Sequence, residues 1–414
     1  MTRSGFGHTL PRLLPCRAPF REDDSLAETT GRDRALGRPL DGGTLLRLGR
    51  SDDPEARAEL RAHAPEAIAH ALLDLAPAQR AAFLELSERV EEIVPLLPEA
   101  AFTATVRGAG IEEHGWLVGF ATPEQRVAAV DLDCWQGFRL SPSRLLQWID
   151  ALIEAGPETL VAAFDELDPE VWALALRAMG RFAIAGMDGD GVDGATDDGL
   201  VFYEAHSGED EERIREILTA ARQHAPSHYW RLVQAALSEG DEENEQMAAR
   251  WQRGRLADLG FPEREHAMRI YAPLAVEDAP ATGAQPADGR LPDTLDDAPL
   301  ERALAGLGPR PALEVAAGIA VLANALAVAD RLPLVEPETG ARALAKALRG
   351  VERGLVALAR ARGLPPVAVL AGTPARDLFR IGVTLDPSLR PAARVADLDA
   401  DDGADWNVEI EEID

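Results

Sequence analysis

The sequence predicts a mainly α protein with a helical-repeat, superhelical region, a small β insertion and a second α-helical domain. Three observations support this prediction: prolines at a fixed spacing, a short apolar run after an acidic loop, and a linker rich in Pro, Ala and Asp. In order, we expect a disordered N-terminal segment, an α-helical repeat region, a mixed segment, a linker, a C-terminal α-helical domain and an acidic tail. Their expected bounds are 1–50, 51–185, 186–275, 276–298, 299–390 and 391–414.

The repeat is marked by Pro77, Pro123 and Pro169, each separated from the next by 46 residues. The three segments read APAQRAAFLEL, TPEQRVAAVDL and DPEVWALALRA, starting at residues 76, 122 and 168. Because proline is tolerated in the first helical turn, each is predicted to start a helix, with Thr122 and Asp168 as side-chain caps. Helix pairs that recur every 40–47 residues or so are typical of stacked repeats. The alternative is a chance spacing of prolines in an alanine-rich chain.

Further elements follow from local patterns. Pro142 and Pro157 are predicted to start helices in the same way, and Leu200–Glu204 is predicted to form a strand because of its apolar and aromatic run. A second helical segment is expected from Leu300 to about Leu385. Within it, the apolar run Val315–Ala329 is too short to span a bilayer and is predicted to be a buried helix.

Charge and cysteine content limit the function classes. The 414-residue chain has 42 basic and 71 acidic residues, a net charge of −29. Such a field repels nucleic acid and anionic lipid, so neither is expected as a partner, whereas a basic protein is compatible. The two cysteines, Cys16 and Cys134, cannot form a disulfide framework, and a cytoplasmic location is predicted.

The acidic stretch MDGDGVDGATDDG, residues 187–199, resembles a calcium loop at first inspection. An EF-hand loop needs oxygen ligands at positions 1, 3 and 5, glycine at 6 and glutamate at 12. Registers starting at Asp188 and at Asp193 both fail this pattern. We interpret the loop as a solvated joint, with weak divalent-ion binding by Asp188–Asp198 as the alternative.

Other chemical motifs give little support for catalysis. His224 and His228 have a zinc-like spacing, but Pro226 between them favours a junction of two helices. Two carboxylates flank Cys134, which favours a buried structural thiol over a reactive one. No nucleophile elbow, phosphate-binding loop or dinucleotide fingerprint is found, so no catalytic residue, metal ligand or cofactor is predicted.

Two clusters are chemically dense, Asp131–Gln136 and Arg250–Pro262. Guanidinium forks beside an aromatic face suit carboxylate or phosphate recognition, so a ligand or partner site is one hypothesis. Its candidate residues are Asp131, Asp133, Trp135, Trp251, Arg253, Arg255 and Asp258. The alternative is internal ion pairing of the arginines, for example with Asp131 or Asp133.

The stretches DLDCWQ (from Asp131), RWQRGRLADLGFP (from Arg250) and AMRIYAPL (from Ala267), together with DLFRIG (from Asp377), resemble an uncharacterised bacterial family known only as a domain of unknown function. The resemblance covers about Arg50 to Leu389 and implies no activity, cofactor or site residue. The repeats alone, for example LDPEVWALAL, look like the cytosolic helical superhelix of magnesium transporters and like flagellar motor-switch proteins. There, acidic helical repeats serve as interaction and regulatory modules.

The predicted function is a non-catalytic cytosolic scaffold or regulatory module that binds an unidentified protein partner through a repeat surface. One alternative is a small-ligand binder or enzyme that uses the Trp251–Asp258 cluster. Another is a regulatory module that responds to divalent ions through the acidic loop.

Overall fold

The computed structural model describes residues 40–51, 53–136, 139–184, 194–195, 199, 201–237, 240–280 and 299–391. Over these residues the chain is mainly α, as predicted. The aspartates of the acidic loop, most of the linker and the acidic tail lie outside the described residues, so the joint and ion-binding hypotheses remain predictions.

The elements are numbered here in chain order. The α-helices are α1 Gly42–Gly49, α2 Pro54–Ala62, α3 Pro65–Leu72, α4 Pro77–Leu86, α5 Val90–Ile93, α6 Glu99–Ala109, α7 Ile111–His114, α8 Pro123–Asp133, α9 Pro142–Glu154, α10 Pro157–Glu166, α11 Pro169–Met179, α12 Gly208–His224, α13 Pro226–Leu237, α14 Asp241–Asp258, α15 Arg264–Met268, α16 Pro299–Ala305, α17 Pro309–Ala329, α18 Pro337–Arg362, α19 Pro366–Gly372 and α20 Ala375–Leu385. The 3-10 helices are Val94–Leu96, Gly115–Phe120, Arg269–Tyr271 and Pro387–Leu389. The strands are β1 Trp135–Gln136, β2 Arg139–Leu140, β3 Gly180–Ile184, β4 Gly194–Ala195 and β5 Val201–Ala205.

The described residues divide into two compact units. The first takes the described residues up to Glu263 together with Pro333–Ala341. The second takes the described residues from Arg264 to Leu332 and from Arg342 onward. The second unit therefore begins before residue 299, where the sequence analysis places the C-terminal domain. The reason is non-local packing, because α15 and the 3-10 helix after it contact α17.

The three repeat prolines start α4, α8 and α11, as predicted. Thr122 caps α8 as expected: its hydroxyl accepts from the Gln125 amide at 3.2 Å, and the Gln125 side chain accepts from the Thr122 amide at 2.9 Å. The corresponding prediction for Asp168 is wrong. Its carboxylate makes no cap hydrogen bond, because it accepts hydrogen bonds from Arg255 instead.

Equivalent repeat positions connect neighbouring helices of the first unit. The Arg80 side chain in α4 donates to the Ala101 carbonyl and the Thr105 hydroxyl of α6, both at 2.9 Å. Forty-six residues later, Arg126 in α8 forms a two-point ion pair with Glu166 of α10, at 2.6 and 2.5 Å. The packing of α4 on α6 and of α8 on α10 is thus supplemented by directional contacts at the same repeat position.

The β insertion is a three-stranded antiparallel sheet in the order β3-β5-β4. Its central strand, β5, corresponds to the predicted strand at Leu200–Glu204. At the other end of the unit, α1 lies inside the segment 1–50 that the sequence analysis takes as disordered, and that prediction is wrong for Gly42–Gly49. The Asp41 carboxylate caps α1, and Leu45 and Leu48 are buried.

In the second unit, α17 is the helix predicted to be buried. It is long and apolar enough to cross a membrane by length and composition alone, and 44% of its most apolar window is buried inside the protein. Asp330, the C-cap residue directly after α17, lies in a three-membered polar cluster. The Lys346 ammonium donates to Asp330 Oδ2 and to the Tyr271 hydroxyl, both at 2.6 Å, and that hydroxyl donates to Asp330 Oδ1 at 2.6 Å.

Glycines allow α18 and α20 to pack with their backbones in contact. A Cβ at Gly354 would overlap the Leu378 carbonyl, and a Cβ at Gly382 would overlap the Gly350 carbonyl. Because the obstructing atoms belong to the backbone, no side-chain rotation can relieve the overlap. The two helices must separate to accept any larger residue.

We therefore expect Gly382→Ala to lower the free energy of unfolding by about 2 kcal/mol or more, the cost of overpacking a tight contact. Gly318→Ala on α17 is the matched control, because the nearest atom to its new Cβ is the Ala375 Cβ at 3.6 Å. That change should be neutral or stabilising by up to about 1 kcal/mol through helix propensity. Urea unfolding measures both, and equal effects of the two substitutions would contradict this account.

Candidate functional site

The two sequence clusters meet through one arginine of α14. The Arg255 guanidinium donates to both carboxylate oxygens of Asp131, at the end of α8, at 2.6 and 2.9 Å. It also donates to both oxygens of Asp168, before α11, at 3.2 and 2.7 Å. The internal ion-pair alternative therefore holds for Arg255, and the pair with Asp131 is one that the sequence analysis named. One side chain ties α14 to two helices that lie far away in sequence.

This cluster carries an excess of negative charge, because one guanidinium faces two carboxylates. Asp131 is buried, and burial raises its pKa to about 6, although the hydrogen bonds and charge of Arg255 act in the opposite direction. The charge of Asp168 raises the pKa of Asp131 further. For Arg255, burial lowers the pKa, but the hydrogen bonds to Asp131 and Asp168 outweigh that effect and the pKa is raised. Burial thus brings the protonation of Asp131 close to the neutral pH range.

Asp133 is fully engaged by neighbouring helices. Its carboxylate accepts from Arg144 at 2.6 Å and from the Trp148 indole at 2.9 Å, both on α9, and pairs with Arg107 of α6 at 3.4 Å. Cys134 beside it is 0% exposed, and burial together with the charges of Asp133 and Asp131 raises the pKa of its thiol. The prediction that Cys134 is buried is confirmed, and the raised pKa of its thiol disfavours the thiolate.

The inner face of α14 is held to the rest of the first unit by two further polar contacts. The Gln252 side-chain amide donates to the Asp131 carbonyl at 2.9 Å, and Glu245 accepts from the Leu140 amide at 2.8 Å. Trp135 is partly buried in β1, where it pairs with Leu140. Gln252 and Glu245 thus position α14 through hydrogen-bonded polar groups, whereas the Trp135 indole nitrogen is buried with no hydrogen-bond partner among the described residues.

The opposite side of α14 has a different character. Trp251 is 53% exposed and Met247, one turn earlier, is 44% exposed. We define the outer face of α14 as the exposed residues Met247, Arg250, Trp251, Gly254, Ala257 and Asp258. Arg253 lies beside this face and donates to the Ala249 carbonyl at 3.1 Å.

The structure therefore divides the predicted site residues between two places. Asp131, Asp133 and Arg255 belong to buried ion pairs, whereas Trp251 and Asp258 lie on the outer face of α14. The sequence predicted none of the Asp133 partners Arg107, Arg144 and Trp148, and it did not predict the pairing of Arg255 with Asp168. Only Asp168 was noticed, as a cap, because its position before Pro169 gives a local signal.

The helix junction at Pro226 is as predicted, with α12 ending at His224 and α13 starting at Pro226. His228 lies 2.7 Å from a carboxylate oxygen of Asp165 and stacks on the Phe164 ring. Among the described residues, no group of three or more His, Cys, Asp or Glu side chains is arranged to hold a metal ion.

A model of the family of unknown function DUF6178 matches residues 57–397 of the chain. The chain belongs to the DUF6178 family. The match includes the stretches at Asp131, Arg250, Ala267 and Asp377 on which the resemblance rests. No curated protein and no solved structure matches the chain. The membership confirms the expected family and assigns no activity.

The raised pKa of Asp131 predicts a specific pH dependence of stability. Between the ordinary value of 3.8 and about 6, the folded state binds more protons at this group than the unfolded state. The contribution of Asp131 to the free energy of unfolding is therefore present below about pH 4 and lost as the pH rises to about 6, by up to roughly 3 kcal/mol.

Urea unfolding of the wild type and of Asp131→Asn between pH 4 and pH 7 measures this effect. As the pH rises through this interval, the free energy of unfolding of the wild type should fall relative to that of Asp131→Asn. The difference between the two proteins should become constant above about pH 6.5. Glu243→Gln, which removes an exposed carboxylate of α14 that lies outside the outer face, is the control for the loss of one negative charge and should change the free energy of unfolding little. A pH-independent difference for Asp131→Asn would contradict the assignment.

Proposed function

We propose that this DUF6178 protein is a non-catalytic cytosolic module that binds another protein through the outer face of α14. The observation that carries the proposal is the exposure of Trp251 and Met247 one turn apart on that face. Trp, Met and Arg are enriched in the centres of protein interfaces, and Trp and Arg dominate their binding energy. Burial of the exposed half of an indole by a partner would contribute roughly 2–3 kcal/mol.

The anchoring of α14 supports the same function. On its inner face, Arg255 and Gln252 fix the helix to α8 and to the start of α11. A partner that docks on the outer face would therefore meet a helix that is already in place. Such preorganisation reduces the entropy lost on binding.

The net charge of the chain and the hydrogen bonds of Arg255 help to decide between this function and its alternatives. The net charge of −29 and the two cysteines are compatible with a soluble cytosolic protein and do not favour nucleic acid as a partner. A small-ligand site at Trp251–Asp258 would need Arg253 and Arg255 to converge with free donors. The donors of Arg255 are already bonded to Asp131 and Asp168, which argues against that alternative.

Affinity capture from lysate of the native organism tests the proposal. We expect Trp251→Ala to weaken recovery of the specific partner by about 30-fold or more, the effect of losing an interface anchor. Trp230→Ala is the matched control, because Trp230 of α13 is 50% exposed but lies off the outer face of α14. The proposal would be overturned if Trp251→Ala recovered the same proteins as the wild type in the same amounts.

A further inference from the structure

We propose that the outer face of α14 binds a second copy of this chain, with the two α14 helices crossing antiparallel at Gly254. This inference rests on the proposed function, because it names the partner of the same surface. It is drawn from the symmetry of the exposed residues about Gly254 and from the charges that this symmetry brings together.

The exposed residues of α14 are arranged symmetrically about Gly254. Arg250 lies four residues before the glycine and Asp258 four residues after it. Trp251 lies three residues before it and Ala257 three residues after it. Residues three and four apart share one face of a helix, so all five side-chain positions point to the same side.

A two-fold axis through Gly254 turns this pattern into a self-complementary surface. In an antiparallel crossing, the residue four before the glycine of one copy faces the residue four after the glycine of the other. Arg250 of each copy then faces Asp258 of its mate, and the contact occurs twice. Trp251 of each copy covers the small side chain of Ala257, again twice. The same two-fold rotation therefore pairs opposite charges and places the large side chain of Trp251 against the small side chain of Ala257.

The presence of a glycine at position 254 is not explained by contacts within the described part of the chain. It lies in the interior of an 18-residue helix, where glycine weakens the helix relative to alanine. A Cβ added at Gly254 would meet no atom within 4 Å, so no described neighbour requires the small residue. A second helix that crosses at this point would require it, because small residues allow two helix backbones to approach closely.

Arg250 and Asp258 are also available for this contact. Both are exposed, and neither forms an ion pair with another residue in the described part of the chain. They lie eight residues apart, roughly 12 Å along the helix axis, which is too far for them to pair with each other. Arg255 on the inner side of the same helix, by contrast, is bonded to two acids.

The expected dimer is weak and concentration-dependent. A single helix crossing covers less surface than a standard interface of about 800 Å² per partner, so we expect dissociation in the micromolar range or weaker. The net charge of −29 opposes association at long range. The measurement therefore belongs at about 0.15 M salt, where charges separated by more than about 8 Å are largely screened.

Charge reversal gives the decisive test, by sedimentation velocity of the full chain across a concentration series. Arg250→Asp alone and Asp258→Arg alone should each shift the protein to monomer, with dimerisation weakened by about 30-fold or more. An equimolar mixture of these two variants should form a heterodimer, because both ion pairs are then restored. The double variant Arg250→Asp/Asp258→Arg should dimerise like the wild type.

Gly254→Gln supplies a second, independent measurement. The substitution faces open space in the monomer and replaces glycine by a better helix former, so at concentrations where the wild type is monomeric the melting temperature should stay the same or rise. The dimer should be lost, because the longer side chain blocks the crossing. Unchanged dimerisation of this variant would overturn the proposed geometry, as would a wild type that stays monomeric at several hundred micromolar.

Failure of this inference can be distinguished from failure of the proposed function. If the wild type is monomeric while Trp251→Ala still abolishes capture of a different protein, the second-copy inference is overturned and the docking function stands. If Trp251→Ala changes neither self-association nor capture, both are overturned. Dimerisation that survives every single reversal would place the interface elsewhere and would also overturn the inference.

Discussion

The structure of the first unit depends on the position of one guanidinium group. Arg255 joins the end of α8, the start of α11 and the middle of the chain at α14, three segments that no local signal would bring together. A partly buried charge network of this kind contributes little net stability when complete, but loss of one member leaves an unpaired buried charge and costs several kcal/mol. Its main effect is geometric, because it fixes which side of α14 faces inward and which side stays in solvent.

The parts of the fold that could be predicted are those specified within a few residues. Proline at the first helical position and Thr122 as a cap act locally, so the starts of α4, α8 and α11 were predictable. The boundary of the second unit was not, since it depends on contacts such as that of Tyr271 with Asp330, 59 residues away. α1 was missed because its apolar pattern consists of a few leucines in a short helix.

The candidate site shows the same division between local and distant effects. The pairing of Asp131 with Arg255 was foreseen only as one of several possibilities, because 124 residues separate the two and sequence gives no direction for either side chain. The predicted cap at Asp168 was wrong because a distant arginine is a stronger partner than the local amide. Trp251 and Gln252 are adjacent in sequence, yet the first is exposed and the second is buried against α8, so the residues of one sequence cluster are divided between an exposed and a buried position.

The single lysine has a practical consequence for work on assemblies of this protein. Lys346 is the only lysine in the chain, its side chain is 14% exposed, and it is bonded to both Asp330 and Tyr271. Reagents that link ε-amines have therefore one shielded target, and they would leave contacts of the first unit undetected even where those contacts exist. The chain has 71 acidic side chains, so coupling reagents that react with carboxylates are the suitable chemistry for mapping its contacts with other molecules.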